Sequence, residues 1–201
     1  PGSANAYYNR GNIDYYRSQH EQAIEDYDEA IRLDPGHALA YHNRGLSYAN
    51  IGQHHRAIED YDEAIRLEPG LVPAYGNRGV AYYDLGSHPV DPSLLLRAIQ
   101  DLDEAIRLNP QYAGAYYNRG LAYDDLGQFQ RAIEDFDEAI RLEPEHASLA
   151  YTNRGWAYDA LGQLQQAIED YDEAIRLEPK KASLAYANRG LAYAKLGQLQ
   201  R

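Results

Sequence analysis

The chain has 201 residues, 31 acidic against 19 basic, a formal net charge of −12 and no cysteine. That balance excludes a disulfide framework or thiolate metal site and argues against a protein that neutralises phosphates on nucleic acid or an anionic membrane. No apolar run approaches the roughly 20 residues that span a bilayer. A hydrophobic share of 44% suffices for a packed core, and 20 Tyr beside 2 Phe and 1 Trp favour half-buried aromatic packing and contact surfaces.

Taken from the start, Pro1–Ser3 reads as a cloning scar and is set aside. No basic-then-apolar signal segment follows, so the expected setting is the cytoplasm. From Ala4 onward the chain repeats itself. The tripeptide Asn-Arg-Gly begins at Asn9, Asn43, Asn77, Asn118, Asn153 and Asn188, at spacings of 34, 34, 41, 35 and 35. A period in this range means stacked supersecondary units. The units are 4–37, 38–71, 72–112, 113–147 and 148–182, with a partial sixth at 183–201, all in one domain, 4–201.

Each unit reads as two helices. In the fourth, Tyr116, Gly120, Tyr123 and Leu126 recur at three and four residues, one helical face, and Gly127 ends it. Ala132, Ile133, Phe136, Ala139 and Ile140 make the apolar stripe of the second helix, which Pro144 stops. Its outer face pairs Asp137 with Arg141 at i,i+4, and Asp28/Arg32, Asp62/Arg66, Asp103/Arg107 and Asp172/Arg176 repeat that spacing. The third unit inserts seven residues between Gly86 and Ala98. Asp91 suits an N-cap and Pro92 a first helical position, which predicts a longer second helix from about Pro92 to Leu108. Leu94, Leu95 and Leu96 cannot all face inward, so some apolar surface should be exposed there.

These residues make the chain similar to the tetratricopeptide repeat family, whose pattern is an aromatic at repeat position 4, Gly at 8, Tyr at 11, Ala at 20, an aromatic at 24, Ala at 27 and Pro at 32. The second unit supplies Tyr41, Gly45, Tyr48, Ala57, Tyr61, Ala64 and Pro69; the fifth supplies Tyr151, Gly155, Tyr158, Ala167, Tyr171, Ala174 and Pro179. The likeness runs from residue 4 to 201. Departures are Asp14 in place of the first unit's Tyr, Leu102 in place of the third unit's aromatic, and Arg at the usually apolar position 7 throughout: Arg10, Arg44, Arg78, Arg119, Arg154 and Arg189. The expected role of these arginines is to pack their stems between repeats while the guanidinium reaches an acid on a neighbouring second helix.

The resemblance implies an all-α, right-handed superhelical solenoid of antiparallel helix pairs, with positions 2, 5, 6, 9, 12 and 13 of the first helices lining a concave groove. Its expected peptide-binding residues are the position-6 ladder Asn9, Asn43, Asn77, Asn118 and Asn153, whose amides carry both donor and acceptor. Beside them stand Tyr8, His42, Tyr83, Tyr117 and Trp156 as anchors and Asp84, Asp124 and Asp125 as an acidic stretch that Asp159 continues. The expected partner is a neutral or basic protein or peptide. One branch of the family clamps acidic chaperone tails. Asn12 and Asn43 resemble that clamp, but Tyr8, Pro73 and Asn77 occupy its basic positions, so charge-assisted bonds to a carboxylate are missing.

No phosphate loop, His-Glu-x-x-His or Cys nucleophile is present. His20 and His54 share repeat position 17, with His55 beside the latter, but Phe129, Leu164 and Leu199 stand there in other units, which favours packing over metal binding. The expectation is a non-enzymatic interaction scaffold without metal or cofactor. The alternatives are a targeting module of a larger enzyme and a self-assembly module. For the last, Tyr186, Tyr193, Leu196 and Leu199 on the sixth unit would lack a second helix to pack on, which predicts a homodimer through the C-terminal helix.

Overall fold

The computed structural model describes residues 3–197, which form eleven α-helices and no strand. These are α1 (Ala4–Tyr16), α2 (His20–Leu33), α3 (Ala38–Asn50), α4 (His54–Leu67), α5 (Val72–Ser87), α6 (Pro92–Leu108), α7 (Ala113–Asp125), α8 (Phe129–Leu142), α9 (Ser148–Ala160), α10 (Leu164–Leu177) and α11 (Ser183–Lys195). The helices gather into two compact units, residues 1–108 and 109–201. In the first, α1 packs on α2, α3 on α4 and α5 on α6. In the second, α7 packs on α8 and α9 on α10, with α11 against α10.

One contact closes every complete pair. The position-8 glycine of the first helix lies under the position-24 side chain of the second. A Cβ added at Gly45 or Gly155 would stand 2.8 or 2.7 Å from the ring of Tyr61 or Tyr171. Only glycine admits that approach, and the rings it receives are fully buried. Leu102 fills the same place over Gly79 in the third repeat, so the missing aromatic is a change of filling and not of architecture. The turn between helices comes from Gly52, Gly127 and Gly162, each at φ of 70 to 76°; the first repeat holds Ser18 there at φ 60°.

The seven-residue insertion is divided between both helices of its pair. Because α5 continues through Gly86 to Ser87, it has 16 residues where the other first helices have 13. The second helix, α6, starts at Pro92 and has 17 where its equivalents have 14. Asp91 Oδ1 accepts from the Ser93 amide at 2.9 Å and from the Ser93 hydroxyl at 2.7 Å, which starts α6. Leu95 is fully buried, whereas Leu96 is half exposed. Seven residues are close to two turns, so the apolar face keeps its register.

Among the position-7 arginines, Arg44, Arg78, Arg154 and Arg189 reach the preceding repeat. Arg44 donates through Nε to Asp60 of its own second helix at 2.8 Å and through Nη1 to Asp28 of the preceding second helix at 2.5 Å. Arg78 does the same with Asp101 and Asp62, and Arg154 with Asp170 and Asp137. Arg10 binds Asp26, Arg119 binds Asp135 and Arg189 binds Asp172. Burial pushes the carboxyls of Asp60, Asp101 and Asp170 above their ordinary range, and the arginine hydrogen bonds oppose that rise.

This network corrects the expected i,i+4 pairs. Arg32, Arg66, Arg107, Arg141 and Arg176 instead bind the glutamates three residues earlier: Glu29, Glu63, Glu104, Glu138 and Glu173. The longer Glu side chain reaches along the helix surface, while Asp28, Asp62, Asp137 and Asp172 point to the next repeat's arginine.

The residues expected to form an apolar patch on the sixth unit divide. Tyr193 packs into the core cluster of Tyr171 and Ala192. Tyr186 and Leu196 are exposed, together with Leu184 and Leu191, and Leu199 lies outside the described residues. Among the described residues no helix is long and apolar enough to cross a membrane.

Candidate peptide-binding surface

First helices bury small residues and glycine against their partners, such as Ala40, Gly45 and Ala74, or Ala150, Gly155 and Ala157. Some larger side chains are buried with them, His42 and Tyr48 on α3 among them, while others, such as Trp156 on α9, stay exposed on the other face. In the first unit that face is knitted from repeat to repeat by positions 5 and 6. Asn43 Nδ2 donates to Asn12 Oδ1 at 2.8 Å and to the Tyr8 hydroxyl at 3.2 Å. His42 Nδ1 lies 2.9 Å from Asn43 Oδ1, and Asn77 Nδ2 lies 3.0 Å from His42 Nε2. With the Asn77 amide donating, the neutral ring carries its proton on Nδ1 and donates it to Asn43. Burial lowers the His42 pKa, its hydrogen bonds opposing, which keeps the ring neutral at pH 7. Asn9 is exposed, Asp84 is exposed with His54 Nδ1 3.7 Å from it, and Tyr83 is partly buried.

The second unit repeats the device once, Asn153 Nδ2 donating to the Tyr117 hydroxyl at 3.0 Å. Three of the expected ladder amides, Asn43, Asn77 and Asn153, therefore spend donors between repeats, while Asn118 is partly buried. Local sequence spacing could not show this, because the partner lies 35 or 36 residues away.

The rest of this face differs between units. On α9, Leu149, Asn153, Trp156 and Ala160 lie four, three and four residues apart, one helical stripe. Leu149 is 64% exposed and Trp156 48% exposed. A cavity of about 180 Å³ opens beside Leu149 and Tyr117, walled by Ala113, Gly114, Ala139, Ala147 and Ala150, with Glu143 and His146 at its polar edge. Asp124 and Asp125 end α7, each half-buried with one oxygen wholly buried and without a partner. Burial, and then the neighbouring Asp125, push the Asp124 carboxyl up to about 6. Asp159 is buried, and Lys195 Nζ of α11 donates to its two oxygens at 2.7 and 2.8 Å. Among the described residues no group of three or more His, Asp or Glu is placed to hold a metal ion.

Family models agree with this architecture. The model described as tetratricopeptide repeat matches residues 38–71, 113–146 and 148–181, and a second, described as TPR repeat, matches 11–52 and 97–127. The chain belongs to the tetratricopeptide repeat family. It is thus one of a family of protein–protein interaction scaffolds, built as a TPR solenoid. No curated protein sequence matches the chain. Among solved structures, the crystal structure of MamA protein is 30% identical over 89% of this chain and 93% of that one, with a TM-score of 0.75. MamA from Desulfovibrio magneticus RS-1 is 24% identical over 90% and 97%, with a TM-score of 0.78. YrrB, described as a TPR protein with an unusual peptide-binding site, is 24% identical over 92% and 90%, with a TM-score of 0.73. The last two likenesses speak for the fold.

Proposed function

We propose that this chain is a non-enzymatic scaffold that binds an extended, neutral or basic segment of a partner protein on the first-helix face of residues 109–197. The observation that carries the reading is the α9 stripe. A half-exposed Trp156 and an exposed Leu149 flank Asn153, Leu149 lines an apolar cavity, and Asp124 and Asp125, each with one buried oxygen that has no partner, lie on the neighbouring first helix. Large aromatics in such settings carry interface energy far beyond their number. YrrB's described peptide-binding site is in keeping with this use of the fold.

Peptides selected from a random displayed library against the wild-type chain test the reading. Trp156→Ala and Leu149→Ala should weaken the selected peptides at least tenfold by calorimetry, whereas Glu169→Ala on the outer face of α10 should leave them unchanged. Peptides that lose affinity only with Glu169→Ala refute the surface.

A second reading, self-association through α11, is favoured by a different observation. Leu184, Tyr186 and Leu191 are exposed there. Sedimentation velocity over a dilution series up to high micromolar concentration separates the readings. A dimer that is lost on Leu191→Glu places the contact on α11, and a monomer throughout removes it.

A further inference from the structure

The second unit holds an internal template for a charge that one of its carboxylates lacks. Asp124 and Asp159 occupy the same repeat position, at the ends of α7 and α9. Asp159 receives both its hydrogen bonds from the ammonium of Lys195, 36 residues later on the next first helix. Thirty-six residues after Asp124, at the position equivalent to Lys195, stands Ala160, and it is exposed. The first helices α7 and α9 touch as α9 and α11 do, so the two carboxylates face equivalent places on the following helix. Yet Asp124 Oδ1 is buried without a partner, and the neighbouring charge that bears on it is another carboxylate, Asp125. One turn before Ala160, Trp156 lies half exposed where the template has Leu191.

We propose that Asp124 and Trp156 form a subsite for an alkylammonium group, the end of a lysine side chain of the bound segment. The ammonium takes the place on Asp124 that Lys195 takes on Asp159. The butyl stem runs over Ala160, whose small side chain leaves room for it, and lies against the Trp156 ring. A cation beside an indole face gains from the ring quadrupole as well, and a hydrogen bond between two charged groups is the strong kind. Lysine is favoured over arginine because the template is an ammonium bound to both carboxylate oxygens from one nitrogen.

The inference rests on the reading of this face as peptide-binding, but the subsite is testable without a peptide. The single tryptophan gives one indole N–H signal to follow. Titration with n-butylammonium chloride at pH 7.5 and constant ionic strength should shift the Trp156 signal saturably, with a millimolar dissociation constant, and n-butanol should not. Asp124→Asn should weaken that binding at least tenfold. Ala160→Lys should abolish it by supplying the ammonium from within, and should lower the Asp124 carboxyl pKa followed by carbon-13 NMR. The inference is overturned if butylammonium gives no saturable shift, if Asp124→Asn binds it as wild type does, or if Ala160→Lys still binds it. Equal binding of ethylguanidinium overturns the assignment to lysine. Trp156-dependent peptide binding without a butylammonium site leaves the proposed function standing and removes this subsite alone.

Discussion

Replacing Arg154 by Met keeps the aliphatic stem and removes the charge that joins the fourth and fifth repeats. Its guanidinium is 17% exposed and meets Asp170, 8% exposed, and Asp137, 50% exposed. Removing one partner of a buried pair leaves an uncompensated charge and costs about 3–5 kcal/mol, whereas a half-exposed partner contributes well under about 1 kcal/mol. The cost should therefore fall almost wholly on Asp170, and Arg154→Met should lose about 3 kcal/mol. Replacing both members by apolar residues, Arg154→Met with Asp170→Leu, should recover most of that loss, because no buried charge then remains. The sign with pH follows from the same group. Burial raises the folded-state pKa of Asp170 and the Arg154 hydrogen bonds restrain it. Without Arg154 the carboxyl rises further, so its ionised form opposes folding most above that pKa, and the deficit shrinks as pH falls towards the ordinary carboxylate range. Urea titration by circular dichroism at 222 nm, with hydrogen exchange of α10 amides, measures the change. The exposed pair Arg176–Glu173 supplies the control, and Arg176→Met should be indistinguishable from wild type. An Arg154→Met midpoint equal to that of Arg176→Met refutes the role given to the position-7 arginines.

Asp124→Asn should stabilise the chain above pH 6 by on the order of 1 kcal/mol after discounting for its partial exposure to screening solvent. The folded carboxyl titrates near 6 against an unfolded value of 3.8, so the gain should be full above pH 6, decline between them and vanish below pH 4, as thermal midpoints across that range will show. Gly155→Ala drives a Cβ to 2.7 Å from the Tyr171 ring and should cost about 1–3 kcal/mol. Gly190→Ala, with nothing within 4 Å, should gain about 0.5–1 kcal/mol from helix propensity; equal effects in a denaturant titration would refute the packing account. Ser18→Gly relieves a positive φ at the place other repeats give to glycine and should raise stability by roughly 0.5 kcal/mol.

The residues that set the candidate site divide along the same physical line as the fold. The family resemblance set Trp156 and Tyr117 on the same face; the structure leaves Trp156 half exposed but Tyr117 partly buried, its hydroxyl accepting from Asn153. The fate of the asparagines was not legible in the sequence, since whether Asn43 or Asn153 meets a peptide or a tyrosine depends on how closely successive first helices approach. The same holds for Asp124 and Asp159: in sequence they are equal members of an acidic stretch. Only the packing of α9 against α11 shows that Lys195 neutralises one of them.

By itself the sequence determined the helix pairs and their period. These depend on local propensity and on apolar residues recurring within a turn or two, and the seven-residue insertion kept that pattern, so the third pair was legible down to the start of α6 at Pro92. Tertiary structure alone decided which charges meet. Each position-7 arginine has several carboxylates within reach along the chain, and an ion pair's partner is chosen by distance and desolvation across helices. Stacking therefore turned Asp28, Asp62 and Asp137 away from their own helix's arginines and towards the next repeat. The pairing forms only after the repeats are packed, because only there do two second helices hold their acids on either side of one guanidinium.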